Sequence, residues 1–205
     1  ESGFDAADLI TIDVGGTSAD VGCVRGGAPV LSTEEHVAEF PLLLPSIAVS
    51  SVGAGGGSII WLDETGSLRV GPRSAGADPG PACYGRGSSI PSLTDAMLVA
   101  GWLADGQKLG GRIPLRLDLA RAALAPLAKA LSSSVEAVAD GAISIAIAIM
   151  AAETSHVLSR RGIDAPDFML VPFGGAGPLI GALLAEDVYV DRILVPQTPG
   201  ALSAL

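Results

Sequence analysis

Aromatic side chains are scarce: Phe, Trp and Tyr supply 4% of the 205 residues, although hydrophobic residues reach 49%. A core must therefore be assembled from Ala, Val, Leu and Ile. Cysteine and histidine occur twice each, with Cys23 far from Cys83. So few, so far apart, they argue against a disulfide framework and against a zinc centre, and they suit a reducing, cytoplasmic setting. Positive charge is also thin, with 12 Lys and Arg against 22 Asp and Glu and a net charge of −10. A nucleic-acid surface needs clustered cations, so that class of partner is not expected. The longest apolar run, residues 142–152, falls short of the roughly 20 residues of a membrane span and reads as a core helix packed on all sides. No secretory leader is recognisable. Residue 1 is Glu, and the chain stops at Leu205, just after Pro199-Gly200; an internal piece of a longer protein is expected.

Glycine and proline are plentiful, at 27 and 14 residues, which implies many tight turns between short elements. One turn dominates. Residues 9–13 read as a buried strand ending on Asp13, followed by Gly15, Gly16, Thr17 and Ser18, with a second strand at 21–24. Glycines let a backbone approach an anion and aim N–H groups at it, and the hydroxyls of Thr17 and Ser18 add donors. Asp13 is placed to hold a hydrated Mg²⁺ beside a phosphate, or else to cap the turn. An ordinary glycine hairpin is the competing explanation.

Extended chain is expected over 29–40 and 47–52, with a hairpin of 59–63 and 68–70 around Glu64-Thr65-Gly66. Residues 71–87 read as loop, stiffest at Asp78-Pro79-Gly80-Pro81. Ser92 and Asp95 have capping-box spacing before a helix that ends near Gly101 to Asp105. A second helix is expected over 117–131. A third, capped by Ser133 and Glu136, runs to Arg160-Arg161-Gly162. A strand at 168–171, the glycine turn Gly174-Gly175-Ala176-Gly177, a helix from Pro178 to Ala185 and a strand at 193–195 complete a βαβ unit. A helix N-terminus behind such a turn favours a phosphate or nucleotide edge, although close helix–strand packing also demands glycine. Two such turns at the ends of hydrophobic strands favour a nucleotide cleft.

The motifs Asp13 to Asp20, Ser51 to Ile59, Arg69 to Gly76, Asp78 to Gly87, Leu93-Thr94-Asp95-Ala96 and Phe173 to Leu179 resemble the hydantoinase A/5-oxoprolinase family, in the family's order and over nearly the whole chain. The resemblance implies an α/β, ribonuclease-H-like lobe of the actin, Hsp70 and sugar-kinase type: a mixed sheet with helices packed on it. By order it would be the second ATPase lobe of a protein about three times as long, with a hairpin and Gly/Pro-rich loop inserted at about 46–91. It implies ATP and Mg²⁺ as cofactors. Asp13, Gly15, Gly16, Thr17, Ser18 and Asp20 would form the phosphate turn, with Asp13 the metal ligand. Gly174, Gly175, Ala176 and Gly177 would form the adenosine turn.

The implied chemistry opens a cyclic amide such as hydantoin, N-methylhydantoin or 5-oxoproline after phosphorylating its carbonyl. A hydantoinase B-type partner subunit is implied as well. Alternatives are a ketone-carboxylase subunit, or a non-catalytic nucleotide-binding or scaffolding subunit. Asp95 is either a catalytic carboxylate or the capping partner of Ser92. Asp78 and Cys83 read as structural, and Arg73 and Arg86 as anion clamps or solvated side chains. His36 and His156 are expected on surfaces. Met97, Ile147, Ile149 and Ile180 depart from the family pattern, each apolar where a polar residue is usual, which would remove or retune the chemistry.

Overall fold

The structure, a computed structural model, describes residues 8–32, 36–37, 40–41 and 46–204. In chain order the strands begin with β1 (Leu9–Val14), β2 (Ala19–Arg25), β3 (Ala28–Pro29), β4 (Leu31–Ser32), β5 (His36–Val37), β6 (Phe40–Pro41), β7 (Ser46–Ile47) and β8 (Ser50–Val52). The hairpin β9 (Ser58–Leu62) and β10 (Leu68–Ser74), helix α1 (Leu93–Val99) and the small pair β11 (Lys108–Leu109) and β12 (Ile113–Pro114) follow. Helices α2 (Leu117–Ala130) and α3 (Val135–Arg160) precede β13 (Met169–Phe173), α4 (Gly177–Asp187) and β14 (Arg192–Ile193). Two compact units result: Glu1–Val14, Ala19–Val52 and Ala151–Leu205 form one, and Gly15–Ser18 with Gly53–Met150 form the other. The sequence implied one lobe with a hairpin and loop inserted at about 46–91; in the structure β8 pairs in the sheet, and Gly53–Met150 groups with Gly15–Ser18.

The first unit is built on a mixed sheet ordered β14-β13-β1-β2-β3, with β8 also pairing β2. β1 alternates, with Ile10, Ile12 and Val14 fully buried, so one face of the strand enters the core. β2 runs antiparallel to β1, with Asp20 opposite Asp13, and β13 runs parallel to it, with Phe173 beside Asp13. The chain therefore leaves β1 and β13 at the same edge of the sheet. Helix α4 lies on β13 at close range: a Cβ on Gly181 would come within 2.6 Å of the Pro172 ring. Ile180 and Leu184 complete that contact layer, at 1% and 0% exposure. The end of α3 joins this unit, where Arg161 donates to Cys23 Sγ on β2 at 3.5 Å.

Around residues 29–52 the expected long extended runs are broken. Short pairs β4–β7 and β5–β6 occur instead, and 47–52 divides into β7 and β8 at Ala48-Val49. Parts of that stretch lie outside the described residues.

In the second unit, β9 and β10 form the expected hairpin, whose Asp63 accepts from the N–H of Thr65 and Ser67 and pairs with Arg69 at 2.7 Å. Its second strand continues to Ser74, farther than the sequence indicated. Ile60 N–H donates to Pro91 O, joining the hairpin to the start of α1. Helix α3 starts one residue later than expected: the side chain of Ser134, rather than Ser133, accepts from Ala137 N–H at 3.1 Å. Glu136 pairs with Arg121 on α2 at 2.7 Å.

The middle of α3 is not packed on every side. Ala142, Ile143, Ala146, Ile147 and Met150 are buried, whereas Ser144, Ala148, Ile149 and Ala152 are exposed. That helix is long and apolar enough to cross a membrane by length and composition, yet its buried residues are spent on the fold.

Candidate functional site

The turn Gly15–Ser18 is held from behind. Gly15 N–H closes the turn on Ser18 O at 3.0 Å, while the carbonyls of Gly15 and Gly16 accept from Gly56 and Gly57 N–H at 3.0 and 2.6 Å. A trans peptide points its C=O and its N–H in opposite directions. Pinning those two carbonyls toward the 55–57 loop therefore turns the next two N–H groups, of Gly16 and Thr17, the other way. Among the described residues neither has an acceptor, and both residues are exposed, with nothing within 4 Å of a Cβ built on Gly16. Consecutive outward N–H groups form an anion-binding concavity. The Thr17 hydroxyl lies 3.4 Å from Ser74 Oγ.

This backing explains Gly55 and Gly57. A Cβ on Gly55 would sit 2.9 Å from Gly15 O and Ser18 N, and one on Gly57 would sit 2.8 Å from Gly16 O. Sequence reading gave this loop no role, because its partners lie about 40 residues away; the dense glycine spacing was the available signal.

In the other unit, Asp13 and Asp20 face each other across β1 and β2 on one side of the sheet. Like charges directly opposite destabilise a strand pair, unless a cation or a proton lies between them. Asp20 accepts from Ser51 Oγ on β8. No group of three or more His, Cys, Asp or Glu suited to a metal occurs among the described residues. A hydrated Mg²⁺ on two carboxylates and phosphate oxygens fits this donor set, whereas an all-protein cage does not. Gly174, at φ +82°, leaves β13 so tightly that a Cβ there would meet Asp13 Oδ1 and lie 2.6 Å from Val14 O. Ala176 N–H donates to Val14 O at 3.0 Å and caps α4, which starts at Gly177. Gly175 has open space around it.

Asp95 is fully buried. Its Oδ2 accepts from Ser92 N–H and Oγ, both at 2.8 Å, and from Ala82 N–H at 3.3 Å; its Oδ1 accepts from Cys83 N–H at 2.7 Å. The expected capping box is present. With four donors on two oxygens and no exposure, this carboxylate fastens the 78–87 loop to α1 and has no free face for a substrate. Burial, with the charge of Asp95 beside it, pushes the Cys83 thiol well up, so Cys83 stays a neutral packing group. Cys23 is also buried, and its thiol is raised by that burial.

The remaining expectations divide. Arg86 donates to Ala77 O at 3.2 Å and so braces its own loop. Arg73 and Asp78 are exposed, as is His156, which lines a groove of about 420 Å³ beside Leu31, Val49 and Arg161. The His36 side chain lies outside the described residues. Of the four apolar departures, Met97, Ile147 and Ile180 are buried at 1%, 5% and 1%, and only Ile149 is exposed, at 37%.

The sheet-bearing unit is α/β, with an in-register carboxylate pair and a glycine turn after a strand parallel to β1. The chain belongs to the hydantoinase/oxoprolinase family, whose pattern matches residues 3–205. It is 42% identical over 202 residues to the caprolactamase alpha subunit of Pseudomonas jessenii, covering 98% of this chain and 29% of that one. The crystal structure of that organism's ATP-dependent caprolactamase superimposes with a TM-score of 0.89 over the same share of both chains. A nucleotide-free acetone carboxylase structure, 30% identical, superimposes at 0.88, covering 97% of this chain and 28% of that one. A 5-oxoprolinase of Pestalotiopsis fici is 34% identical over 207 residues, covering 96% of this chain and 16% of that protein. The chain spans less than a third of the length of each of these relatives.

Proposed function

We propose that this chain is the second ATPase lobe of an ATP-dependent enzyme that opens cyclic amides, with a fold of the actin, Hsp70 and sugar-kinase type. The observation carrying this reading is the pair of N–H groups at Gly16 and Thr17, held outward by the carbonyl bonds behind them. Bound Mg²⁺ and ATP would supply the phosphoryl group that turns a ring carbonyl oxygen into a leaving group.

The chain's own residues bind and orient. Gly16 and Thr17 N–H, with the Thr17 and Ser18 hydroxyls, hold phosphate oxygens. Asp13 and Asp20 hold the hydrated cation. Gly174, Gly175, Ala176 and Gly177 pass the adenosine without side-chain obstruction, and the outward amides stabilise negative charge as it develops. Asp95 acts as a positioning residue, the capping alternative among its two expected roles.

The substrate class is a lactam, hydantoin or oxoproline ring, in line with relatives named caprolactamase and 5-oxoprolinase. Relatives named as alpha, beta and gamma subunits support a hetero-oligomer, with a hydantoinase B-type partner, and the buried free cysteines suit the cytoplasm. A ketone-carboxylase subunit is the second reading, favoured by the likeness to acetone carboxylase. The scaffold reading loses its support, since it rested on the apolar departures and three of the four are core residues.

The test uses the full-length protein with its partner subunit, assayed for ADP release against caprolactam, hydantoin, 5-oxoproline, and acetone with bicarbonate. ADP release matched by ring opening supports the reading. ADP release with the ketone alone establishes the carboxylase, and none with any substrate refutes both.

A further inference from the structure

We infer that Thr94, at the start of α1, is a positioning residue for the phosphate turn; the inference rests on the nucleotide reading above. Thr94 is 7% exposed and sits 38 residues from Gly56, yet it spends two donors on one acceptor. Its N–H and its Oγ1–H both donate to Gly56 O, each at 2.7 Å. That carbonyl shares a peptide plane with the Gly57 N–H, which donates to Gly16 O at 2.6 Å. Gly16 O in turn shares a plane with the Thr17 N–H, one of the two outward donors.

The result is a head-to-tail line: Thr94, the Gly56–Gly57 peptide, the Gly16–Thr17 peptide, then the anion. Each bond in such a line polarises the next, so donors at one end strengthen the donor at the other. A neighbouring line, from Ser58 N–H through the Gly55–Gly56 peptide to the Gly15–Gly16 peptide, ends at the Gly16 N–H. The Ser58 line begins with one main-chain donor, and the Thr94 line with two, one of them a hydroxyl that mutation can remove. Along these lines Gly55 and Gly57 are the positions where a Cβ would press on the backbone of the 15–18 turn.

Capping already explains a polar residue at the start of a helix, but it does not explain this arrangement. Ser92 and Asp95 satisfy the cap of α1 between them. The Thr94 hydroxyl is aimed at the second lone pair of a carbonyl to which its own N–H already donates. Its effect falls on the turn 15–18. It also ties the helix bearing Asp95 to the phosphate turn, so the 78–87 loop and the phosphate donors share one anchor.

Thr94→Ala and Thr94→Ser, made in the full-length protein, are of nearly equal size and differ by the hydroxyl. Removing one such bond is expected to weaken ADP affinity and ATP kcat/KM about fivefold. The KM for the organic substrate should move less than twofold, and Thr94→Ser should restore the ATP parameters. Equal ATP parameters in the two variants overturn the inference, as does a change confined to the organic substrate. A Thr94→Ala protein that fails to fold while Thr94→Ser folds also overturns it, because the hydroxyl then serves the fold. If the parent protein neither binds nor uses ATP, the functional reading fails and this inference falls with it. If the parent does both and alanine matches serine, only this inference is lost.

Discussion

Gly174 and Gly175 are neighbours in one turn, and the structure predicts opposite results when each is changed to alanine. Gly174 sits at φ +82°, where an L-residue costs about 1–2 kcal/mol, and its new Cβ would lie 2.6 Å from Val14 O and 2.8 Å from Val14 N. Those atoms are main chain within the sheet and cannot swing aside, so overpacking adds roughly 1–3 kcal/mol. Against this, a less flexible unfolded chain returns about 0.4–1 kcal/mol. Gly174→Ala should therefore lose about 2–4 kcal/mol. For a chain of this size that is roughly 5–15 °C in melting temperature. Gly175 has no positive φ and nothing within 4 Å of its built Cβ, so Gly175→Ala should melt within about 2 °C of the parent or slightly above. Thermal unfolding followed by circular dichroism separates the two. Equal melting of the two variants, or a Gly174→Ala chain as stable as the parent, would refute the close approach of β1 to this turn. The same substitution crowds Asp13 Oδ1, so nucleotide affinity in the full-length protein should fall with it.

Met97→Asn and Ile180→His each place a polar group at a site 1% exposed, and should lower the melting temperature by several degrees without creating new ring-opening activity; gained turnover at unchanged stability would return these positions to the active site. Residues 1–205 alone should show no measurable ATP hydrolysis, because half of a cleft leaves phosphates in water where each contact is weak; robust turnover by this piece in a phosphate-release assay would contradict that. Both thiols have folded pKa values above the ordinary 9.0, so the stability they contribute is complete below about pH 9 and declines as pH rises beyond it, while the unfolded thiols ionise and the folded ones do not. Native protein at pH 8 should accordingly label slowly with iodoacetamide, and fast labelling of Cys83 would show its loop to be open.

What could be read from the sequence was local. Asp95 lies three residues after Ser92, and that spacing alone predicts the capping box that forms. The alternation of β1 and the glycine turns after β1 and β13 carried the sheet and its edge in the same way. Where partners are distant, the sequence was mute. The backing of Gly15 and Gly16 by Gly56 and Gly57 depends on a loop returning from elsewhere in the chain. The breaks in the 29–52 stretch, and the small β11–β12 pair around Gly110-Gly111, follow from pairing that no period announces. In α3 the composition is apolar all round, so no moment distinguished the face of Ile147 from that of Ile149. Asp95 shows the same limit: its spacing fitted both a cap and a catalytic acid, and only the two N–H groups arriving from Ala82 and Cys83 decide how its oxygens are occupied.

The parallel pairing of β1 with β13 sets an order of assembly. Residues 53–150 hold most of one compact unit in a single uninterrupted segment, which can close as soon as it leaves the ribosome. The sheet cannot. Leu9 waits for Met169, and Asp13 for Phe173, before β1 gains its second neighbour. Until then the β1–β2 hairpin carries an open apolar edge, the kind that recruits strands from other chains. Non-local pairing of this sort is slow, so the half bearing Asp13 and Asp20 should be the last to become native during synthesis and the first to depend on chaperones. Ribosome-stalled chains ending before Met169 should expose β1 to protease, and chains extended far enough for β13 to clear the ribosome should protect it.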